Sequence, residues 1–146
     1  MIKIQFMDHI VYLDAKAKEL ENLESGTKTL IIRSATGRKL PYGRVEVSDI
    51  LYFAENNGDG LIKAKAGVKS VFFSEKLTKE ESEKMVKENQ SKLQLNSSLM
   101  KRFAGKRYLT LVELENFETL FPFKFDRSGF GNMDDWLPVE NIENVR

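Results

Sequence analysis

The chain contains no cysteine and a single histidine, His9. The first absence excludes disulfides, thiolate chemistry and every cysteine-bearing zinc site, and the second leaves no histidine cluster for a transition metal. No run approaches the roughly 20 consecutive apolar residues that a membrane helix needs. Within residues 1–10 the apolar pattern is interrupted by Lys3 and Asp8, so no signal peptide is read there. The expectation is a soluble protein of a reducing cytoplasm, with no membrane partner, no metal and no other cofactor. A large charge excess is missing too: the formal net charge is +1. Proteins that coat nucleic acid by bulk charge carry far more, so any such contact must come from local placement of cations. Internal repeats and low-complexity tracts are absent as well.

What is present is the balance of a folded domain. With 146 residues, 41% hydrophobic and 31% charged, the chain can bury a core without staples and reads as one domain over residues 1–146. Residues 9–13 read as a strand, and Asp14 is placed to cap a helix over 15–24, with Ala17, Leu20 and Leu23 at helical spacing and Gly26 as its stop. A second strand over 29–33 opens into a loop punctuated by Gly37, Pro41 and Gly43. Strands over 49–54 and 61–73 flank the turn Asn56-Asn57-Gly58-Asp59-Gly60 and predict a hairpin. That turn superficially suggests a calcium loop, but it lacks the carboxylate spacing and closing Glu of one. Thr78 with Glu81 forms a capping box ahead of a polar helical stretch to about Phe103, broken near Asn96 and poor in apolar anchors. β-prone segments follow over 108–114 and 117–125, then a Gly-flanked terminal loop over 129–138. Together these predict an α+β fold with five or six mostly antiparallel strands, as a curled sheet or small barrel with flanking helices.

Between Glu24 and Glu46 the chain carries Lys28, Arg33, Arg38, Lys39 and Arg44 with no acidic residue. A phosphate would reward such a segment, because Arg forks onto phosphate oxygens and Lys adds a compact charge. Tyr42 offers a stacking face. The plain alternative is an exposed loop whose cations pair with distant carboxylates.

The arrangement Ser25-Gly26-Thr27-Lys28-Thr29-Leu30-Ile31-Ile32-Arg33, directly after an amphipathic helix, resembles the signature of the ASCH domains of the PUA-like superfamily. Gly26 stands at the helix end, Lys28 two residues later, and Arg33 closes the strand. Val47-Ser48-Asp49-Ile50-Leu51-Tyr52-Phe53 resembles the second block, with Ser48 at the usual Gly and Asp49 retained. The resemblance spans about residues 10–120. It implies a PUA-like β-barrel with helices at its flank and a cleft in which Lys28 and Arg33 face a ligand. As a binding module the chain would place Lys28, Arg33, Arg38 and Arg44 on the phosphates of RNA or a nucleotide, with Tyr42 or Trp136 on a base. As an enzyme it would follow the small ASCH-like amidohydrolases that deacylate acetylcytidine. Lys28 matches their Lys, Glu88 is a loose match to their Glu, and their Thr falls at Ile31, which has no hydroxyl. A protein-interaction module without a nucleic-acid ligand is the third possibility.

Strand alternation sets a condition on that cleft. In a regular strand Thr29, Ile31 and Arg33 share one face while Lys28, Leu30 and Ile32 take the other, so Lys28 joins Arg33 only if the strand begins after it. Lys101, Arg102, Lys106 and Arg107 form a second cationic cluster that could extend a binding path or simply be a solvated helix end. His9, without a companion, reads as a structural histidine. Asp134 and Asp135 are adjacent and lack a third ligand, so they read as solvated carboxylates or as partners for Arg38 or Arg44 rather than a metal site, with Trp136 and Leu137 pinning the C-terminus to the core.

Overall fold

The structure is a computed structural model that describes residues 6–131 and 134–146. Lys3 and residues 132 and 133 of the terminal loop lie outside the described residues. In chain order the elements are β1 (Asp8–Leu13), α1 (Glu19–Glu24), β2 (Leu30–Ala35), β3 (Ile50–Glu55), β4 (Leu61–Phe73), α2 (Lys79–Glu88), α3 (Gln90–Leu93), α4 (Ser97–Phe103), β5 (Tyr108–Lys124) and β6 (Trp136–Glu140). A short 3₁₀ turn, Ile142–Asn144, follows.

The six strands form one sheet in the order β2-β5-β4-β3-β1-β6, curled into a half-barrel with α helices at its side. All pairings are antiparallel except β1 with β3. That parallel pair needs a crossover, and α1 and β2 lie within it. Because β2 and β6 are the two edges, the curl leaves an open seam between them.

Alternation in β4 builds the interior. Ile62, Ala64, Ala66 and Val68 are buried while Leu61, Lys63, Lys65 and Gly67 stay partly exposed. The inner layer gathers Val11, Leu13, Ile31, Phe53, Ala64 and Trp136. On the outer face, Leu30, Ile32, Leu109 and Leu111 meet Val86, Leu93, Leu95, Leu99 and Phe103 of the helical segment. The helical stretch is thus a packed layer despite its sparse apolar residues, because the few it has all turn inward. Its first helix starts on the expected capping box: Thr78 Oγ1 accepts from the Glu81 N–H and Glu81 Oε1 from the Thr78 N–H, at 3.1 and 2.8 Å.

Three expectations are corrected. The helix expected over 15–24 begins only at Glu19, because residues 15–18 are turned by side chains: Asp14 Oδ1 accepts the Ala17 N–H, and Glu19 Oε1 reaches back to the Asp14 N–H. Lys18 takes a left-handed conformation, φ 57°, which breaks helical continuity. The segments 108–114 and 117–125 are one strand, β5, carried through Asn116 at φ 56°, a conformation that Asn tolerates better than most residues. The terminal loop ends in a strand, β6, paired with β1. The expected hairpin forms as β3 and β4 around the Asn56 to Gly60 turn, with Gly58 and Gly60 supplying positive φ. No described helix is long and apolar enough to cross a membrane.

Candidate functional site

The seam between β2 and β6 is bridged by one side chain. Arg33, the fourth residue of β2, is 7% exposed. Its guanidinium donates to its neighbour's carbonyl, Ile32 O, at 2.8 Å and across the seam to Tyr12 O of β1 at 2.6 Å. It lies 5.7 Å from the ring centres of both Phe103 and Trp136. Its remaining nitrogen, Nε, is 3.2 Å from Asp135 Oδ2 but lacks the angle of a hydrogen bond. Two carbonyls and two aromatic faces therefore hold this cation in place, with Nε buried and without a hydrogen-bond acceptor.

Asp135 Oδ2 also accepts from Arg102, in the last turn of α4, at 3.1 Å. Arg33, Arg102 and Arg127 line a cleft of about 320 Å³ whose wall includes Tyr12, Phe103 and the carboxylates Asp14, Glu19, Asp134 and Asp135. Arg127 sits 5.3 Å over the Tyr12 ring and holds the terminal loop through Gly131 O, and through Asp134 O at 3.3 Å. Of the second cationic cluster, only Arg102 reaches this cleft.

Lys28 lies elsewhere. It is 2% exposed and lines no part of the cleft. Its ammonium donates to Leu93 O of α3 and faces Glu19 Oε2 at 3.4 Å. Burial lowers the Lys28 pKa below the ordinary lysine value, opposed by Glu19 and aided by the charge of Arg33. The strand does begin after Lys28, but the released side chain turns toward α3. Lys28 and Arg33 thus do not open onto a common surface, and Glu19 stands at the cleft wall with Lys28 behind it. The carboxylate that Lys28 meets is Glu19, not Glu88. Glu88 is exposed at the end of α2, where it pairs with Lys84 at 3.8 Å.

The rest of the cationic segment divides again. Arg38 is exposed over Tyr42 and Tyr108, 6.0 and 5.6 Å from their ring centres. Tyr42 is half-buried against Phe73 and Tyr108 and donates its hydroxyl to Ser74 O at 2.6 Å. A narrow indentation on this side is shared by Arg33, Lys39 and Tyr42. Arg44 is exposed beyond it. Asp135 pairs with Arg33 and Arg102 rather than with Arg38 or Arg44, which corrects the partner expected for it. Trp136 is 1% exposed with Arg33 on its face, so it is not free to stack on a base.

Behind the cleft wall lies a buried relay. His9 is 0% exposed. Its Nδ1 accepts from Trp136 Nε1 at 3.0 Å, so the imidazole proton is on Nε2, 2.9 Å from Asp49 Oδ2. Asp49 also accepts the Met7 and Glu46 N–H groups, each at 3.0 Å. Desolvation lowers the His9 pKa, against the pull of Asp49 and Asp8 and with the push of Arg44. The histidine joins β6 to the start of β3 and is structural in its contacts.

Among solved structures, this architecture is similar to that of a mutant ZmASCH protein from Zymomonas mobilis, at TM-score 0.67 and 13% identity, covering 93% of this chain and 92% of that one. A second ZmASCH mutant gives 0.68 and 14%, covering 93% and 90%. ASCH from the same organism gives 0.65 and 14%, covering 90% and 87%. The chain has the ASCH-domain fold. No protein-family model matches the sequence, and no curated protein matches it.

Within the ASCH fold of this chain, the features that sequence reasoning missed are the anions. The sequence does not single out Glu19, and the expectation for Asp135 is that it stays solvated or pairs with Arg38 or Arg44. Glu19 lies about two turns before the expected helix stop at Gly26, and nothing in that spacing marks it; Asp135 meets Arg33 and Arg102 from distant parts of the chain, which leaves no local signal. Among the described residues no group of three or more His, Asp or Glu could hold a metal ion.

Proposed function

We propose that the chain is an RNA- or nucleotide-binding module whose ligand phosphate enters the seam cleft at Arg33 and Arg102. The observation that carries this reading is the convergence of two guanidinium groups on a single oxygen position, with Arg33 pre-set by its aromatic and carbonyl contacts. Preorganised Arg donors suit phosphate oxygens because the binding cost of ordering them is already met by the fold. Arg127 adds a third cation to the cleft lining. Recognition then rests on phosphate contacts. The Tyr42 face is covered by Arg38, so Arg38, Tyr42 and Arg44 form at most a flanking surface along which a longer strand would run.

The amidohydrolase is the second reading, and the buried Lys28–Glu19 pair is what favours it, since a desolvated lysine beside a carboxylate is a proton-transfer couple. Against it stands Ile31, 1% exposed in the inner core where a hydroxyl would be needed.

A panel of RNA oligomers, nucleotides and N4-acetylcytidine separates the two. The binding reading expects salt-sensitive affinity for an RNA oligomer or a nucleotide, weakened by Arg102→Ala, with no turnover of acetylcytidine. Deacylation that disappears in Lys28→Met would replace it with the hydrolase.

A further inference from the structure

Two hollows, of about 320 and 130 Å³, meet at the seam and share Arg33, Arg102, Phe103, Asp134 and Asp135. At their junction one carboxylate oxygen, Asp135 Oδ2, sits 3.2 Å from Arg33 Nε and 3.1 Å from Arg102. Two guanidinium groups thus share one carboxylate oxygen. The Arg33 contact is at ion-pair distance without hydrogen-bond geometry, so Nε of this 7%-exposed arginine is buried beside the carboxylate without an acceptor. A buried donor left without a good acceptor is costly, and a carboxylate fixed to this backbone does not supply one.

A tetrahedral phosphate has more oxygens, spread in more directions, and can accept from both arginines at once. The Asp135 side chain is able to leave. Its side chain is 34% exposed and that of Arg102 53%, while its backbone is held independently by the Tyr12 N–H on Asp135 O at 2.9 Å. Turning the carboxylate outward breaks an exposed ion pair with Arg102, which is worth little, and a contact with the buried Arg33 that lacks hydrogen-bond geometry and whose charge the incoming phosphate then meets; it does not disturb the pairing of β6 with β1.

We propose that Asp135 is a built-in substitute for the ligand's phosphate: it holds Arg33 and Arg102 in the unliganded protein and is displaced when a nucleotide phosphate binds between them. This rests on the binding reading above and adds to it a residue that opposes binding. Asp135 then sets a threshold, so that weak anions such as carboxylates do not occupy the site.

The test uses the full chain and two probes, a fluorescein-labelled uridine decamer and UMP, with the wild type, Asp135→Asn, Arg102→Ala and the double variant. Asp135→Asn is expected to tighten binding about tenfold by removing the competing charge, and the gain should vanish when Arg102 is also removed. Tightening for the decamer and not for UMP identifies a strand; equal tightening identifies a mononucleotide; either supports the exchange. An unchanged or weaker affinity in Asp135→Asn, while the wild type binds in an Arg102-dependent way, overturns the proposal and leaves the binding reading standing. Failure of both probes to bind any of the proteins removes both. Melting temperatures confirm folding, and Asp135→Ser provides the same comparison should the Asn variant unfold.

Discussion

Arg33 and Tyr12 are joined across the open seam of the sheet: the guanidinium donates to the Tyr12 carbonyl at 2.6 Å, from β2 to β1, where no strand pairing exists. A half-barrel has to close its edges or leave them bare, and here a buried arginine between Phe103 and Trp136 takes the place of the missing ladder. The same rigidity that closes the seam presents the residue to the cleft.

Arg33→Met should therefore lower stability by about 2–4 kcal/mol, since it leaves a buried carbonyl without its donor and removes a charged hydrogen bond. Urea denaturation followed by circular dichroism measures this. A loss below about 0.5 kcal/mol would mean that the seam does not depend on the bridge.

The Lys28–Glu19 pair predicts a non-additive outcome. Glu19→Ala leaves a buried ammonium facing only a carbonyl and should cost about 3–5 kcal/mol, whereas Lys28→Met combined with Glu19→Leu should recover part of that loss, the Asp14 N–H and the Leu93 carbonyl being left without their side-chain partners. Denaturant midpoints of the single and double variants check it. Additive losses would show that the two side chains act independently.

His9 predicts the pH response. Its folded pKa lies below its ordinary 6.5, so between the two values the unfolded chain holds more protons than the folded one. Stability is full above about pH 6.5 and falls as pH drops through the folded value, with a slope of at most about 1.4 kcal/mol per pH unit from this one group. The protonated ring would also turn an N–H toward the Trp136 N–H. Thermal melts from pH 7.5 to 4.5 should show a destabilisation that is reduced in His9→Gln, with Trp136 fluorescence reporting on the same step. Identical pH profiles in both proteins would remove His9 as the cause.

Thr78→Ala removes one half of the capping box at the start of α2 and should cost about 1 kcal/mol. Amide hydrogen exchange should show the loss confined to the helical layer. Exchange that rises equally through the sheet would place Thr78 in the global folding unit instead.

Where local chemistry decides structure, the sequence was legible. The alternation of β4, the Gly58 and Gly60 turn and the capping box all lie in short stretches whose physics is their own. The start of α1 was not, because good helix formers at 15–18 are overruled by Asp14 and Glu19 bonding to nearby backbone. Strand β6 carries Pro138 and becomes a strand only because β1 offers it an edge. In the site, the motif singled out Arg33 but grouped it with Lys28, whereas the fold sends Lys28 to α3 and brings in Arg102 and Asp135 from distant elements. Such pairings depend on which strands form the seam, and no spacing within the chain records that.

The most direct measurement is an anisotropy titration of a single-stranded RNA decamer against the wild type and Arg102→Ala at two salt concentrations. Arg102 is half-exposed, so its removal leaves the fold intact. The account predicts affinity weakened about tenfold and a salt slope smaller by about one in the variant. Equal affinities and equal slopes would contradict phosphate binding in the seam cleft.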